Sequence, residues 1–158
     1  MINPKHIMLL NKKQFINTYE NQEIYVHEKK SKIGREFIDK KYNDYCKRIT
    51  ELLAKSKKGD IQAQYIIGET IASGKVEVPD GKPLETAIEW MLPQASQSKH
   101  YLEKYRIGEL YLEIGDIINA AHYFFYSVPN LDEEALEDLH WKETKKKLQR
   151  AEVKQPRR

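Results

Sequence analysis

The stretch KYRIGELYLEIG, residues 104–115, corresponds to an earlier stretch, QYIIGETIASG, residues 64–74, with one extra residue before the last glycine. Each stretch places an Ile-Gly pair one helical turn before an apolar residue and then a closing glycine. The matching residues are Ile67, Gly68, Ile71 and Gly74 in the first stretch and Ile107, Gly108, Tyr111 and Gly115 in the second. The two Ile-Gly pairs lie 40 residues apart, an interval typical of repeats built from two helices and a turn. The sequence therefore predicts two helical hairpins; the alternative is an ordinary helical bundle whose glycines serve only as caps.

Apolar residues recur at helical spacing over most of the remaining chain. Residues 34–58 carry a stripe with intervals of three and four, the pattern of an amphipathic helix: Ile38, Tyr42, Tyr45, Ile49 and Leu52. Further helices are expected at 60–73, 83–92, 99–114, 117–128 and 132–150. Their ends are indicated by Asp60 as an N-cap, Pro83 in a first turn, and Gly74 and Pro129 as stops, whereas Pro93 should end or kink its helix.

These elements predict an all-α fold, a short α-α superhelix of about two repeats closed by capping helices. Closed ends are expected because an array of helical hairpins exposes apolar surface at each terminus. The predicted organisation is an N-terminal segment of uncertain structure at 1–33, a capping helix at 34–58, repeat 1 at 59–98, repeat 2 at 99–131, a C-terminal capping helix at 132–150 and a tail at 151–158. Within the first segment, Asn11 and Gln14 have the spacing of a capping box for a short helix.

The second repeat resembles the tetratricopeptide class of helical repeats over about residues 101–134. The residues that match the pattern of that class are Ile107, Gly108, Tyr111, Gly115, Ala120, Phe124 and Ser127. The first repeat is similar to the Sel-one-like variant, in which a longer loop joins the two helices. The matching residues there are Ala63, Gly68, Gly74, Val76 or Val78, Asp80, Ala87 and Trp90. Two features depart from that variant: the stretch from Asp80 to Ala87 is longer, and Pro93 falls where the helix usually continues.

The resemblance implies a protein-protein interaction module, an adaptor or scaffold that binds a peptide or protein on its repeat surface. It also implies which residues pack the helices together: Gly68, Gly74, Ala87, Trp90, Gly108, Tyr111, Gly115, Ala120 and Phe124. Partner contacts are expected from the first helix of each repeat and from the second helix of repeat 2. The residues concerned are Gln64, Glu69, Lys104, Tyr105, Arg106, Tyr123 and Phe125.

Four consecutive aromatic residues, Tyr123 to Tyr126, lie in the helix expected at 117–128. A contiguous run covers every side of a helix, so it cannot be buried entirely against one neighbour. One or two of the rings are therefore expected to contact another helix or a partner. The alternative is that all four pack between this helix and the last one.

No pattern of catalytic or ligand-binding residues stands out. The five histidines lack the short spacing of a metal site, and the single cysteine, Cys46, excludes an intramolecular disulfide. Neither a phosphate-binding loop nor a nucleophile elbow is present. We therefore expect no enzymatic activity, no small-molecule substrate, no cofactor and no metal. Without a signal peptide or a long apolar span, the sequence predicts a cytoplasmic protein that makes no membrane contact.

The net charge of +3 conceals an uneven distribution. Residues 1–58 contain 14 basic and 7 acidic residues, whereas residues 59–131 contain 5 and 10. The type of protein that the resemblance suggests leads to the second hypothesis, a bacterial immunity protein or chaperone that neutralises a toxin or effector. An acidic repeat surface would speed its encounter with a basic partner. Nucleic-acid binding is the third, because lysine clusters bind phosphate, although the acidic repeats argue against it. The clusters are at 12–13, 29–32, 55–58 and 145–147. The oligomeric state is left open.

Overall fold

A computed structural model describes residues 7–18, 32–97 and 99–154, and in these ranges the chain is all-α, as predicted. Eight α-helices are described, and a 3-10 turn, Val128–Asn130, follows the sixth. The helices are α1 Lys12–Thr18, α2 Lys32–Lys57, α3 Ile61–Ala72, α4 Pro83–Ala95, α5 Tyr101–Ile114, α6 Ile117–Ser127, α7 Glu133–Asp138 and α8 Trp141–Lys154. The chain divides into two compact units, Met1–Trp90 and Met91–Arg158.

Aspartate N-caps fix where three of the helices begin. The Asp60 carboxylate accepts the Ala63 N–H at 3.0 Å at the start of α3. Asp116 accepts the Asn119 N–H at 3.2 Å before α6, and Asp132 accepts the Ala135 N–H at 2.8 Å before α7. Each cap satisfies one of the N–H groups that have no partner within the first turn. The helix at 60–73 was therefore predicted with the correct cap and nearly the correct ends.

In the first unit, α2 packs against α3 through the apolar stripe read from the sequence. Ile38, Tyr45 and Ile49 are buried, whereas Tyr42 and Leu52 are half-buried. The predicted capping box is confirmed: the Asn11 and Gln14 side chains each accept the other residue's backbone N–H, at 2.9 and 2.8 Å. It begins α1 within the segment whose overall structure was not predicted; residues 1–6 and 19–31 of that segment lie outside the described ranges.

Tyrosine hydroxyls tie the segment before α1 to the rest of the first unit. Tyr45 Oη accepts the Leu10 N–H at 3.1 Å and donates to the Lys75 carbonyl at 2.6 Å. Tyr42 Oη donates to the Leu10 carbonyl at 2.7 Å. The ring of Phe15 stacks on that of Tyr45, with 5.0 Å between centroids. Residues 7–18 are thus an integral part of this unit.

In the second unit, α5 and α6 form an antiparallel hairpin and are tightly packed at Gly108. A Cβ at this position would lie 2.9 Å from two ring carbons of Phe124. The Phe124 ring is itself held by Tyr105, at 5.1 Å between centroids, and by Trp141, at 5.4 Å. Leu148 of α8 joins the same core cluster. The glycine predicted to pack the second hairpin is therefore required by the rigid ring opposite it.

Most of the residues predicted to pack the repeats are buried: Gly68, Ala87, Trp90, Gly108, Ala120 and Phe124. Tyr111 is half-buried and stacks on Tyr123. The prediction was wrong for Gly74 and Gly115, which are exposed turn residues with φ of +74° and +94°. Their role is conformational, because only glycine adopts a positive φ without steric cost.

Two predicted helix boundaries were wrong. Pro93 does not end α4, which continues through it to Ala95. The helix expected at 132–150 is two helices, α7 and α8, separated at Leu139 and His140. His140 has a positive φ of 54°, which turns the chain sharply between them. The arrangement of the repeats as a superhelix stays a prediction.

We predict that Gly108→Val lowers the free energy of unfolding by about 1–3 kcal/mol, because the added side chain overlaps the Phe124 ring. Phe124→Leu should relieve part of this overlap. Chemical denaturation of the two single variants and the double variant then gives a coupling energy of about 0.5–3 kcal/mol. Strictly additive effects would contradict a direct contact between the two positions.

Tyr45→Phe should also destabilise the protein, by about 1–3 kcal/mol, because it leaves the buried Leu10 N–H without its acceptor. Tyr42→Phe is the matched control. It removes a hydroxyl that donates to the Leu10 carbonyl but does not accept the Leu10 N–H, and the site is half-buried, so we expect a loss of about 0.5–1.5 kcal/mol. Thermal unfolding compares the stability lost in the two variants. Equal losses would show that the Leu10 N–H finds another acceptor when the Tyr45 hydroxyl is removed.

Candidate protein-binding face

One side of α6 points away from the core and is built mainly from apolar and aromatic residues. The buried side consists of Ile117, Ala120, Phe124 and Ser127. The opposite side consists of Ile118, His122, Phe125 and Tyr126, which we call the outer face of α6. Their spacing of four, three and one places them on adjoining positions of the helix surface.

The outer face is unusually exposed for its composition. Ile118 is 82% exposed, Phe125 77% and Tyr126 52%. Single exposed apolar residues are common on soluble proteins, but a contiguous cluster indicates an interaction site. Within the described residues, the remaining large exposed apolar side chains are Ile33 and Phe37, one turn apart on α2, and Met8, Leu102 and Val153, each on a different part of the chain. The outer face therefore groups more of these side chains on one helix than any other described element does.

The rings of the outer face contact one another and a neighbouring cation. The Tyr126 ring meets His122 edge-on at 4.9 Å between centroids and Phe125 at 6.3 Å. The Lys104 ammonium lies 5.9 Å from the centre of the Tyr126 ring and 5.3 Å from that of Tyr101. Both distances fall within the range of cation–π attraction. Lys104 thus forms a positively charged margin beside the aromatic cluster.

Packing beneath the outer face holds α6 in place. Tyr123 stacks on Tyr111 of α5, with 5.7 Å between centroids and 19° between planes. Burial raises the pKa of both hydroxyls, and also that of Tyr105, above the ordinary value near 10. Aromatic contacts on the inner side therefore fix the helix that presents Ile118 and Phe125 to solvent.

The structure settles how the four consecutive rings are divided. Phe124 is buried and Tyr123 is half-buried, whereas Phe125 and Tyr126 are exposed. The interpretation in which all four rings pack between helices was therefore wrong. Phe125 and Tyr126 expose much of their rings, and the first interpretation, that one or two rings contact another helix or a partner, stays a prediction.

The partner residues predicted from the sequence are found in different surroundings. Tyr105 was wrongly placed on the surface: it is 0% exposed, because α5 is covered there by both α6 and α8. Arg106 is half-buried, with its guanidinium 3.8 Å from the Glu109 carboxylate. Lys104 borders the outer face, and Phe125 belongs to it.

Two further predicted partner residues, Gln64 and Glu69, belong to the first unit. Both are half-buried on α3. The Gln64 side-chain amide donates to the Ser56 carbonyl at 3.2 Å, which links α3 to the end of α2. Gln64 therefore has a structural contact that the sequence pattern did not predict.

The sequence interpretation missed Ile118 and His122 and did not select Tyr126. A signal for them was available in the repeat resemblance, which assigned Ala120 and Phe124 to the packed side. Residues about half a turn away from that side must then face outward. Because Ile118, His122 and Phe125 share this outward direction, the cluster could have been read from helical spacing alone.

The described residues contain neither a cluster of metal-ligating side chains nor a membrane-spanning helix. No three His, Cys, Asp or Glu side chains there are placed to hold a metal ion together. Across residues 7–18, 32–97 and 99–154, no helix combines the length and the apolarity needed to cross a membrane.

Comparisons with protein-family models, with curated proteins and with solved structures gave no significant match for this chain. The resemblance to tetratricopeptide and Sel-one-like repeats accordingly depends on the residues quoted above, and membership of either family stays a prediction.

The raised pKa values of Tyr105, Tyr111 and Tyr123 predict a loss of stability at alkaline pH. Their hydroxyls ionise near pH 10 in the unfolded chain but only at higher pH in the folded protein. The stability they contribute is complete below about pH 10 and is lost as the pH rises through the folded pKa values. Urea unfolding between pH 9 and 11 should show this decline, and Tyr105→Phe should make it shallower. An identical decline in that variant would contradict the assignment.

Proposed function

We propose that this chain is a non-enzymatic protein-binding module, an adaptor or scaffold, and that the outer face of α6 is its contact surface. The observation that carries the proposal is the clustering of Ile118, Phe125 and Tyr126, all strongly exposed, on one side of one helix. A protein rarely keeps such a cluster in water unless a partner covers it. The repeat resemblance supports the same class of function, since helical hairpins commonly present binding surfaces.

The chemistry of the outer face suits a protein partner. Burying an isoleucine or phenylalanine side chain contributes about 1.5–3 kcal/mol, so Ile118 and Phe125 together supply a strong apolar centre. Tyrosine is enriched among the residues that dominate binding energy at interfaces. Exposed Asn119 and Asn130 and half-buried Lys104 surround this centre with polar groups, the usual arrangement of an apolar core and a polar rim.

The inner packing of α6 favours binding by a preformed surface. Tyr123 and Phe124 fix the helix from within, so the partner need not order it. Less conformational entropy is then lost on association, which increases affinity for the same contact area. In this proposal the chain acts in the cytoplasm and its two helical hairpins belong to a short superhelix.

We predict that Ile118→Ser/Phe125→Ser removes partner binding while the melting temperature changes little, because both side chains are largely exposed. The matched control is Phe37→Ser/Val153→Ser, which also replaces one aromatic and one β-branched exposed residue, on α2 and α8. Parent and variants are compared by affinity capture from lysate of the source cell, with mass spectrometry, after nuclease treatment and at high salt.

Proteins retained by the parent and the control but lost from Ile118→Ser/Phe125→Ser would support the proposal. Retention of the same proteins by all three would exclude the outer face as the contact surface. If nuclease treatment removed every captured protein, the lysine clusters would be the binding groups, and nucleic-acid binding would replace protein binding as the function.

A further inference from the structure

A concave surface lies between α7 and α8, and it shares no residue with the outer face of α6. The sharp turn at His140 brings the two helices together around a groove of about 730 Å³, a volume in the range of ligand-binding clefts. Its lining includes Glu133, Leu136, Glu137, His140, Trp141 and Glu143. We call it the α7–α8 groove.

The charges around the α7–α8 groove are mainly negative. Glu133 and Glu137 lie one turn apart on α7, so their carboxylates share one side of that helix. Glu143 lies in the first turn of α8 and offsets the positive end of that helix. Lys142 is the cation among the lining residues. Among the described ion pairs, none involves the three carboxylates.

Trp141 gives the groove a fixed aromatic wall. Its ring meets Tyr105 at 5.9 Å and Phe124 at 5.4 Å between centroids, both in the core. The side chain is only half-buried, and its remaining surface lines the groove beside Leu136. A ring held in this way offers a fixed contact for the apolar stem of a long side chain.

This combination fits one kind of occupant. Lysine and arginine side chains have a long apolar stem and a charged end. Leu136 and Trp141 would contact the stem, while Glu133 and Glu137 would accept hydrogen bonds from the charged end. A metal ion fits less well, because no three ligating side chains of the described residues converge.

The acidic surface also extends beyond the groove. Glu134 and Asp138 lie on α7 and are exposed, and residues 132–138 contain five acidic and no basic residues. An extended negative surface attracts a chain with several positive charges more strongly than a single amine. We infer that the α7–α8 groove binds a basic segment of a partner protein, with one lysine or arginine side chain inserted between α7 and Trp141.

The inference is tested with a fluorescein-labelled peptide of alternating arginine and alanine, and a glutamate–alanine peptide for comparison. Fluorescence anisotropy measures binding to the full chain at moderate salt. Glu133→Gln/Glu137→Gln removes two groove carboxylates, and we expect it to weaken binding of the arginine peptide by about tenfold. Glu134→Gln/Asp138→Asn is the control, since it makes the same change in net charge on the same helix but outside the groove.

The control variant should bind within about twofold of the parent. All four positions are exposed, so both variants should keep the parent's melting temperature. Equal weakening by the two pairs would overturn the inference, because net charge alone would then explain binding. Failure of the parent to bind the arginine peptide, or equal binding of the glutamate peptide, would overturn it as well.

A second readout locates the bound peptide. Trp141 and Trp90 each give one indole N–H signal in a ¹⁵N–¹H correlation spectrum, and Trp141→Phe assigns them. The arginine peptide should shift the Trp141 signal and leave Trp90, which is 2% exposed, unchanged. An unmoved Trp141 signal in the bound state would reject the groove as the site. Ile118→Ser/Phe125→Ser should bind the peptide like the parent, which separates this test from that of the outer face.

Discussion

The contact between Gly108 and the ring of Phe124 determines how the second unit is built. Without a side chain at Gly108, α5 and α6 approach until the ring lies against the α5 backbone. The ring is enclosed on its other sides by Tyr105 and Trp141, so it cannot move aside. Close packing of this kind sets the rotation of α6 about its own axis. The direction of every other side chain on that helix follows from it.

Exposure of Phe125 and Tyr126 is a geometric consequence of burying Phe124. Successive helix residues are about 100° apart, so the residues after a fully buried ring must turn toward the helix edge and beyond. This geometry determines where the two residues point but not what they are. Polar residues would be equally compatible with the core. Aromatic rings at these positions, on the same side as Ile118 two turns earlier, are therefore best explained by a contact that the core does not make.

The capping signals quoted from the sequence were read correctly, whereas two features of the second unit that depend on distant packing were not. The capping box of Asn11 and Gln14 was predictable because it involves residues three apart. The break at His140 was not, since no glycine or proline marks it. The residue after the break, Trp141, packs against Phe124, a contact that a local pattern does not reveal. Tyr105 was assigned to the surface for a similar reason. In a helical hairpin, α5 is expected to pack only against α6. In the structure, α8 covers a second side of α5, the side that carries Tyr105.

Trp141 links the two surfaces of the second unit. One part of its ring supports Phe124, which sets the rotation of α6, and another part forms the wall of the α7–α8 groove. The two surfaces therefore share a core but not contact residues. A change at Phe124 alters the support of both, whereas Phe125 belongs only to the outer face and Glu137 only to the groove. A substitution can thus change one surface while the other keeps its geometry. On the two proposals together, one helical unit holds an apolar and a basic partner segment independently.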